Sequence, residues 1–186
     1  MASVAITEKS VQSVGPRIYI SCQNPASIRD DVARNLVYTL HSSLPMILGK
    51  FRELRIALID HTETPRILDD ELNYAWQQHQ AEFLLKCESQ VEAEGFILNK
   101  TLIHTISGER VWESQSSIAR MYDPKVLETL YAQMITQAFS LNQGVVLNYW
   151  SRYWRNQDSL PAHYRVLVEH IHFIQEDASE RSFHLF

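Results

Sequence analysis

The sequence predicts a single helix-rich α+β domain, in which a small mixed sheet of about four strands is covered by about five helices. Strand-like and helix-like periodicities alternate over the first half of the chain, and helical periodicity alone follows near its end. Glycine and proline are few, at 5 and 6 of 186 residues. This scarcity favours long elements over a sandwich of many short strands.

The composition is that of an ordinary globular protein, with 45% hydrophobic and 21% charged residues. Residues 1–15 are small and polar and are predicted to form a loose N-terminal arm, with one globular domain over residues 16–186. No segment approaches the ~18 apolar residues of a membrane span, and the N-terminus lacks the apolar core of a signal peptide. We therefore expect a cytoplasmic, intracellular protein without membrane contact. A formal net charge of −5 argues against nucleic acid as the partner.

The first two elements are a strand over 17–22 and a helix over 28–47, whose apolar residues recur at helical spacing. Ser27 and Asp30 resemble a capping box at the start of this helix, because their side chains can satisfy free backbone N–H groups. Pro45 is predicted to kink or end the helix, since its ring clashes with the carbonyl four residues earlier.

A second strand over 54–60 has a high apolar content and is therefore expected at the centre of the sheet. The next helix is predicted to begin at Asp69 and Asp70, whose carboxylates suit the positive end of a helix dipole. The same helix is predicted to end at Gly95, because glycine readily adopts the left-handed backbone that closes a helix. One side of this helix carries Leu72, Trp76, His79, Phe83, Cys87 and Val91.

A β-hairpin over 96–114 is predicted to turn at Ser107 and Gly108, and its longer first arm is expected to pair with a further strand. Asp123 as N-cap and Pro124 at the first helical position mark the next helix start. Gln143 and Gly144 are expected to break that helix, and a last one is expected to start at Pro161.

The segment NYWSRYWRNQ, residues 148–157, combines aromatic and arginine side chains on one predicted helix. Tryptophan, tyrosine and arginine dominate the energetics of protein interfaces, because they bury large areas at modest entropic cost. Core packing of the aromatic groups is the simpler alternative, and stacking on single-stranded nucleic acid is a third. The predicted interface consists of Tyr149, Trp150, Arg152, Tyr153, Trp154 and Arg155.

Cys22 lies where the first strand meets the following helix, a place where a helix N-terminus can activate a thiol. A phosphatase-type loop places five residues between cysteine and arginine, whereas six separate Cys22 from Arg29. Pro25 also removes an amide donor from that loop. A packing role is therefore predicted for Cys22. The alternative function is a small enzyme or ligand-binding domain with a site at strand ends, drawing on Cys22, Asp60, His61 and His104.

No metal site or cofactor is predicted, because the eight histidines and two cysteines form no recognised ligand motif. His170 and His172 would share a face only on a strand, whereas a helix separates them by about 200°. The leading hypothesis is therefore an interaction module, an adaptor or subunit of a larger assembly. It would contact a protein partner or a second copy of itself through the segment around 149–155.

Overall fold

A five-stranded mixed sheet forms the centre of the molecule. The structure, a computed structural model, describes residues 15–23, 28–51, 54–62, 67–119, 124–140, 144–158 and 162–183. Its strands lie in the order β2-β1-β3-β4-β5, with β1 parallel to β2 and β3, and β4 antiparallel to β3 and β5. The strands are β1 (Arg17–Gln23), β2 (Arg55–Thr62), β3 (Phe83–Val91), β4 (Gly95–His104) and β5 (Arg110–Ala119).

Helices connect the parallel strands and complete the chain after β5. The helices are α1 (Asp31–Leu48), α2 (Leu68–His79), α3 (Pro124–Met134), α4 (Val145–Arg155) and α5 (Ala162–Phe183). α3 continues into one π-helical turn, Ile135–Phe139. The α+β prediction is confirmed for a single domain, and the sheet has one strand more than expected.

The two faces of the sheet pack against different helices. Ile18, Phe83 and Leu102 point to one face, where they form a buried cluster with side chains of α4, α5 and the π-helical turn. Tyr19 and Leu84 point to the other face and pack against α2. Side chains alternate along a strand, so neighbours in β1 serve both clusters. Each fully buried large apolar side chain stabilises the fold by about 1.5–3 kcal/mol.

Two predicted helix starts are tested by the described residues. Asp30 immediately precedes α1, and its Oδ1 accepts the backbone N–H of Ala33 at 3.0 Å, as an N-cap does. The helix therefore starts later than predicted, since Asp30 was expected three residues inside it. Ser27 lies outside the described residues, as do Asp123 and Pro161. Pro124 is the first residue of α3, as predicted.

α1 does not end at Pro45, because its helical backbone continues to Leu48. Pro45 lies in the last turn of α1. Because its nitrogen carries no hydrogen, only one carbonyl of the helix loses its backbone hydrogen bond there.

The prediction of one helix from Asp69 to Gly95 is wrong. α2 ends at His79, and Gln80 closes it with a left-handed backbone at φ 50°. The following residues form β3, which pairs with β1 on one side and β4 on the other. Gly95 opens β4 instead, where a Cβ would lie 3.1 Å from the carbonyl carbon of Ile118.

The predicted central position of β2 is also wrong, because β2 lies at an edge of the sheet and β3 occupies the other side of β1. The hairpin prediction is confirmed: β4 and β5 pair antiparallel, and Gly108 adopts φ 71° in the turn between them. β4 also pairs with β3, as its length indicated.

Only the last residue of the predicted arm falls among the described residues. Gly15 is buried, and its carbonyl accepts a hydrogen bond from the Arg55 side chain at 3.0 Å. Across the described residues, no helix is both long enough and apolar enough to cross a membrane.

Candidate functional site

The inward side of α4 is fixed against the sheet. Trp150 has no exposed surface, Val146 and Leu147 are buried, and Tyr149 is 8% exposed. Gly144 precedes the helix in a position without space for a side chain, since a Cβ there would lie 2.8 Å from the carbonyl carbon of Phe139. The start and the inward face of α4 are therefore set by close packing.

A buried carboxylate anchors both tryptophans of α4. The indole nitrogens of Trp150 and Trp154 each donate a hydrogen bond to Oε1 of Glu82 at 2.8 Å. The backbone N–H of Arg17 donates to Oε2 at 3.4 Å. Burial raises the pKa of Glu82, and outweighs the indole hydrogen bonds that lower it. Glu82 thus joins α4 to the region where β1 and β3 begin.

A second polar cluster joins α4 to the β4–β5 hairpin. The Tyr149 hydroxyl donates to Oε2 of Glu109 at 2.7 Å and lies 3.2 Å from Oγ of Ser107. Ser107 in turn contacts Nδ1 of His104 at 2.9 Å. His104 is buried beside Tyr153, with 4.3 Å between ring centroids, and its Nε2 has no hydrogen-bond partner among the described residues.

Burial lowers the pKa of His104 to about 4, so the imidazole is neutral at pH 7. A neutral imidazole enclosed by aromatic rings has a structural role in this cluster. The arrangement gives no support to His104 as a member of a catalytic site with Cys22.

The outward side of α4 lines a groove of about 570 Å³ between α4 and α5. Arg152 and Arg155 are exposed there, and Nη1 of Arg155 lies 2.8 Å from Nε2 of His172 on α5. The Arg152 guanidinium lies over the Tyr149 ring, 5.8 Å from its centroid. The described lining residues are Asn148, Ser151, Arg152, Arg155, Asn156 and His172.

The outward side of α5 exposes two large apolar side chains. Val166 is 79% exposed and Phe173 is 69% exposed. They are seven positions apart and therefore lie on one side of the helix. We call Arg152, Arg155 and His172, which line the groove, together the α4–α5 surface.

The structure divides the six residues of the predicted interface between two sides of α4. Tyr149 and Trp150 are buried, Tyr153 and Trp154 are half-buried, and Arg152 and Arg155 are exposed. Only the arginines and the exposed parts of Tyr153 and Trp154 are thus accessible to a partner. His172, which sequence reasoning did not assign to this surface, reaches it from α5, where His170 and His172 are both helical.

Cys22 is paired with the second cysteine of the chain. Cys22 and Cys87 are in register on adjacent parallel strands, and both are buried. A hydrogen bond between the two thiols, and secondly burial, raise the pKa of Cys22. An activated nucleophile requires the opposite shift, so this geometry supports the predicted packing role.

The rest of the alternative enzymatic site is only partly described. The register of β1 and β2 pairs Cys22 with His61 and Ser21 with Asp60. The side chains of Asp60 and His61 lie outside the description. Across the described part of the chain, no group of three histidine, cysteine, aspartate or glutamate side chains could hold a metal ion.

A small cavity adjoins the thiol pair. Its volume is about 30 Å³, close to the space needed by a single water molecule. Cys87, Lys100, Tyr131 and Met134 contribute to its lining. Burial lowers the pKa of Lys100 and raises the pKa of Tyr131 to about 12.

No protein-family model matches the chain, and no curated protein matches it. Among solved structures, TolB from Acinetobacter baumannii is 12% identical at a TM-score of 0.39, over 63% of this chain and 26% of that one. The chain therefore spans about a quarter of the TolB chain. The C-terminal domain of LpoB from Escherichia coli is 12% identical at a TM-score of 0.41, over 56% of this chain and 83% of that one.

Lipoprotein GNA1162 from Neisseria meningitidis is 11% identical at a TM-score of 0.41, over 64% of this chain and 93% of that one. Each similarity concerns part of the chain, and no functional statement about this protein follows from it.

Proposed function

We propose that the protein is an interaction module that binds a protein partner through the α4–α5 surface. The observation that carries the proposal is the pair Arg152 and Arg155, which line a groove beside His172. Neither arginine forms an ion pair with a carboxylate among the described residues. Arginine is enriched at protein interfaces, where its guanidinium provides directional hydrogen bonds as well as contact area.

The construction of α4 supports a rigid binding surface. Trp150 and Trp154 fix one side of the helix to Glu82, and Tyr149 fixes it to Glu109. A surface that is ordered before binding loses less conformational entropy on association.

Base stacking on nucleic acid has less support from the geometry. Tyr149 and Trp150 are buried, so they cannot offer a ring face to a base.

The proposal is tested by affinity purification from the native source with three versions of the full chain. These are the unchanged protein, the double variant Arg152→Ala/Arg155→Ala and the control Arg165→Ala. Arg165 is an exposed arginine on α5 that does not line the groove. We expect a defined partner to be captured by the unchanged protein and the control and to be lost with the double variant. Light scattering on the purified chain shows whether it binds a second copy of itself, and so distinguishes self-association from binding of a different protein.

Equal capture by all three versions would contradict the proposal. Circular dichroism of each variant establishes that the fold is intact, because Arg152 and Arg155 are exposed and their removal opens no core cavity.

A further inference from the structure

The charge of the α4–α5 groove is opposite in sign to that of the whole chain. The formal net charge of the protein is −5, whereas the charged residues among the described lining are Arg152 and Arg155. No described carboxylate lines the groove. A cleft lined by one sign of charge concentrates its field and attracts groups of opposite charge.

The helix dipole alone does not account for the orientation of these arginines. Both lie in the last turn of α4, where a positive charge is favoured. Their side chains, however, contact other side chains: the Arg152 guanidinium lies over the Tyr149 ring, and Arg155 contacts His172. Among the described residues, neither guanidinium donates a hydrogen bond to a carbonyl at the end of α4.

Among the described residues, the two guanidinium groups use little of their hydrogen-bonding capacity. Each arginine carries five N–H donors. The hydrogen bonds within the described part of the chain use one nitrogen of Arg155, which donates to Nε2 of His172.

The spacing of the arginines defines the ligand more closely. Residues three apart on a helix have Cβ atoms about 5–6 Å apart. Two acidic residues three or four positions apart on a partner helix have Cβ atoms at the same separation. Each of their carboxylates can receive two parallel hydrogen bonds from a guanidinium. The volume of about 570 Å³ falls within the range of ligand-binding clefts, about 300–1,000 Å³.

We propose that the groove between α4 and α5 binds an acidic segment of the partner protein, with one carboxylate on Arg152 and a second on Arg155. The inference rests on the proposed function, because it names the chemistry of the partner at the same surface.

The test measures binding of an alanine-based helical peptide that carries two glutamates four positions apart. Fluorescence anisotropy with the full chain compares this peptide with its glutamine counterpart at low and at physiological salt. We expect the glutamate peptide to bind at least about tenfold more tightly than the glutamine peptide, a ratio of the size that charged hydrogen bonds produce. Affinity should fall as salt rises, because exposed charges are screened.

The variants identify the site of binding. Arg152→Ala/Arg155→Ala should remove the preference for glutamate, and Arg165→Ala should retain it. Equal binding of both peptides, no binding of either, or a preference that survives the double variant would overturn the inference. A short single-stranded oligonucleotide that binds the groove more tightly than the peptide would overturn it in favour of phosphate recognition.

These outcomes are separable from those of the proposed function. If a protein partner is captured through Arg152 and Arg155 while the glutamate peptide shows no preference, the interaction module stands and the acidic segment fails. If the peptide binds as expected and no partner is captured, the groove chemistry stands and the interaction module fails.

Discussion

Trp150 on α4 donates its indole N–H to the carboxylate of Glu82, across 68 positions of sequence, at 2.8 Å. The acceptor oxygen also receives the indole N–H of Trp154. A buried carboxylate is costly unless its hydrogen bonds are satisfied, and its donors are equally costly to leave unpaired. The position of α4, and with it the outward direction of Arg152 and Arg155, therefore depends on Glu82.

Removal of the Glu82 carboxylate should loosen α4. We expect Glu82→Ala to lower the free energy of unfolding by about 3 kcal/mol, because it leaves the indole N–H groups of buried Trp150 and half-buried Trp154 without their acceptor and opens a cavity. Glu82→Gln keeps an acceptor oxygen and should cost only about 1 kcal/mol. Urea unfolding followed by tryptophan fluorescence measures both. Equal losses for alanine and glutamine would show that the indole hydrogen bonds do not position the helix.

The raised pKa of Glu82 also predicts a dependence of stability on pH. Its contribution is fully present below the ordinary pKa of 4.5 and is lost as pH rises through the higher pKa of the folded state. As pH rises from 4.5, the unchanged protein should therefore lose stability relative to Glu82→Gln, whose side chain does not titrate. Urea unfolding over this pH range checks the sign, and a shift in the opposite direction would contradict the burial argument.

The lowered pKa of His104 predicts a pH dependence of stability with the opposite sign, over a neighbouring pH range. Its pKa is lowered from 6.5 to about 4, so the neutral form stabilises the fold above pH 6.5 and that stability is lost as pH falls towards 4. His104→Phe keeps an aromatic ring and removes Nε2, which has no hydrogen-bond partner in the described part of the chain. We expect the stability difference between the unchanged protein and this variant to become less favourable to the unchanged protein on acidification from pH 6.5. A constant difference would mean that His104 is not held neutral by burial.

The glycine before α4 provides a steric test of its position. A methyl group on Gly144 would contact the backbone of Phe139 and Ser140, whereas one on Gly108 meets nothing within 4 Å. Gly144→Ala should cost about 2 kcal/mol or more through overpacking. Gly108→Ala should cost about 1–2 kcal/mol, for its left-handed backbone at φ 71°. Thermal unfolding compares them, and a smaller loss for Gly144→Ala would contradict the close approach of α4 to the π-helical turn.

The paired thiols should be unreactive in the folded protein. The hydrogen bond to Cys87 and burial raise the pKa of Cys22, whereas alkylation requires a thiolate, and Cys87 is also buried. We expect slow alkylation at neutral pH and rapid alkylation in urea, with Cys87 ahead of Cys22 because it is 8% rather than 1% exposed. Mass spectrometry assigns each site. Rapid labelling of Cys22 in the folded chain would return the enzymatic alternative to consideration.

Local signals in the sequence were sufficient for most elements. The helical spacing of apolar residues in α1, Pro124 at the start of α3 and Gly108 in the hairpin are signals that act over a few residues. The structure confirms the two helices and the turn, whereas Val32 on the α1 spacing is 41% exposed. β3 was predicted as helix because Phe83, Cys87 and Val91 recur every four positions, a spacing that suits one face of a helix and also one face of a strand. Pairing with β1 and β4 decides between them, and no local signal reports it.

The candidate site was predictable only in part. The residue types around 148–157 indicated an interface, but their division into a buried and an exposed side depends on Glu82 and Glu109, which lie far away in sequence. His172 joins the groove because α5 packs against α4, a tertiary contact without a motif. The cytoplasmic location stays a prediction, because nothing in the fold tests it.

Site-specific photo-crosslinking in the native cell tests the central claim most directly. A photoreactive residue at Asn156, which lines the groove, is compared with one at the exposed Gln115 on β5. A covalent adduct to a protein partner from position 156 and none from position 115 is the predicted result. Adducts from position 115 with none from position 156 would show that the partner binds elsewhere and would contradict the assignment of the α4–α5 surface.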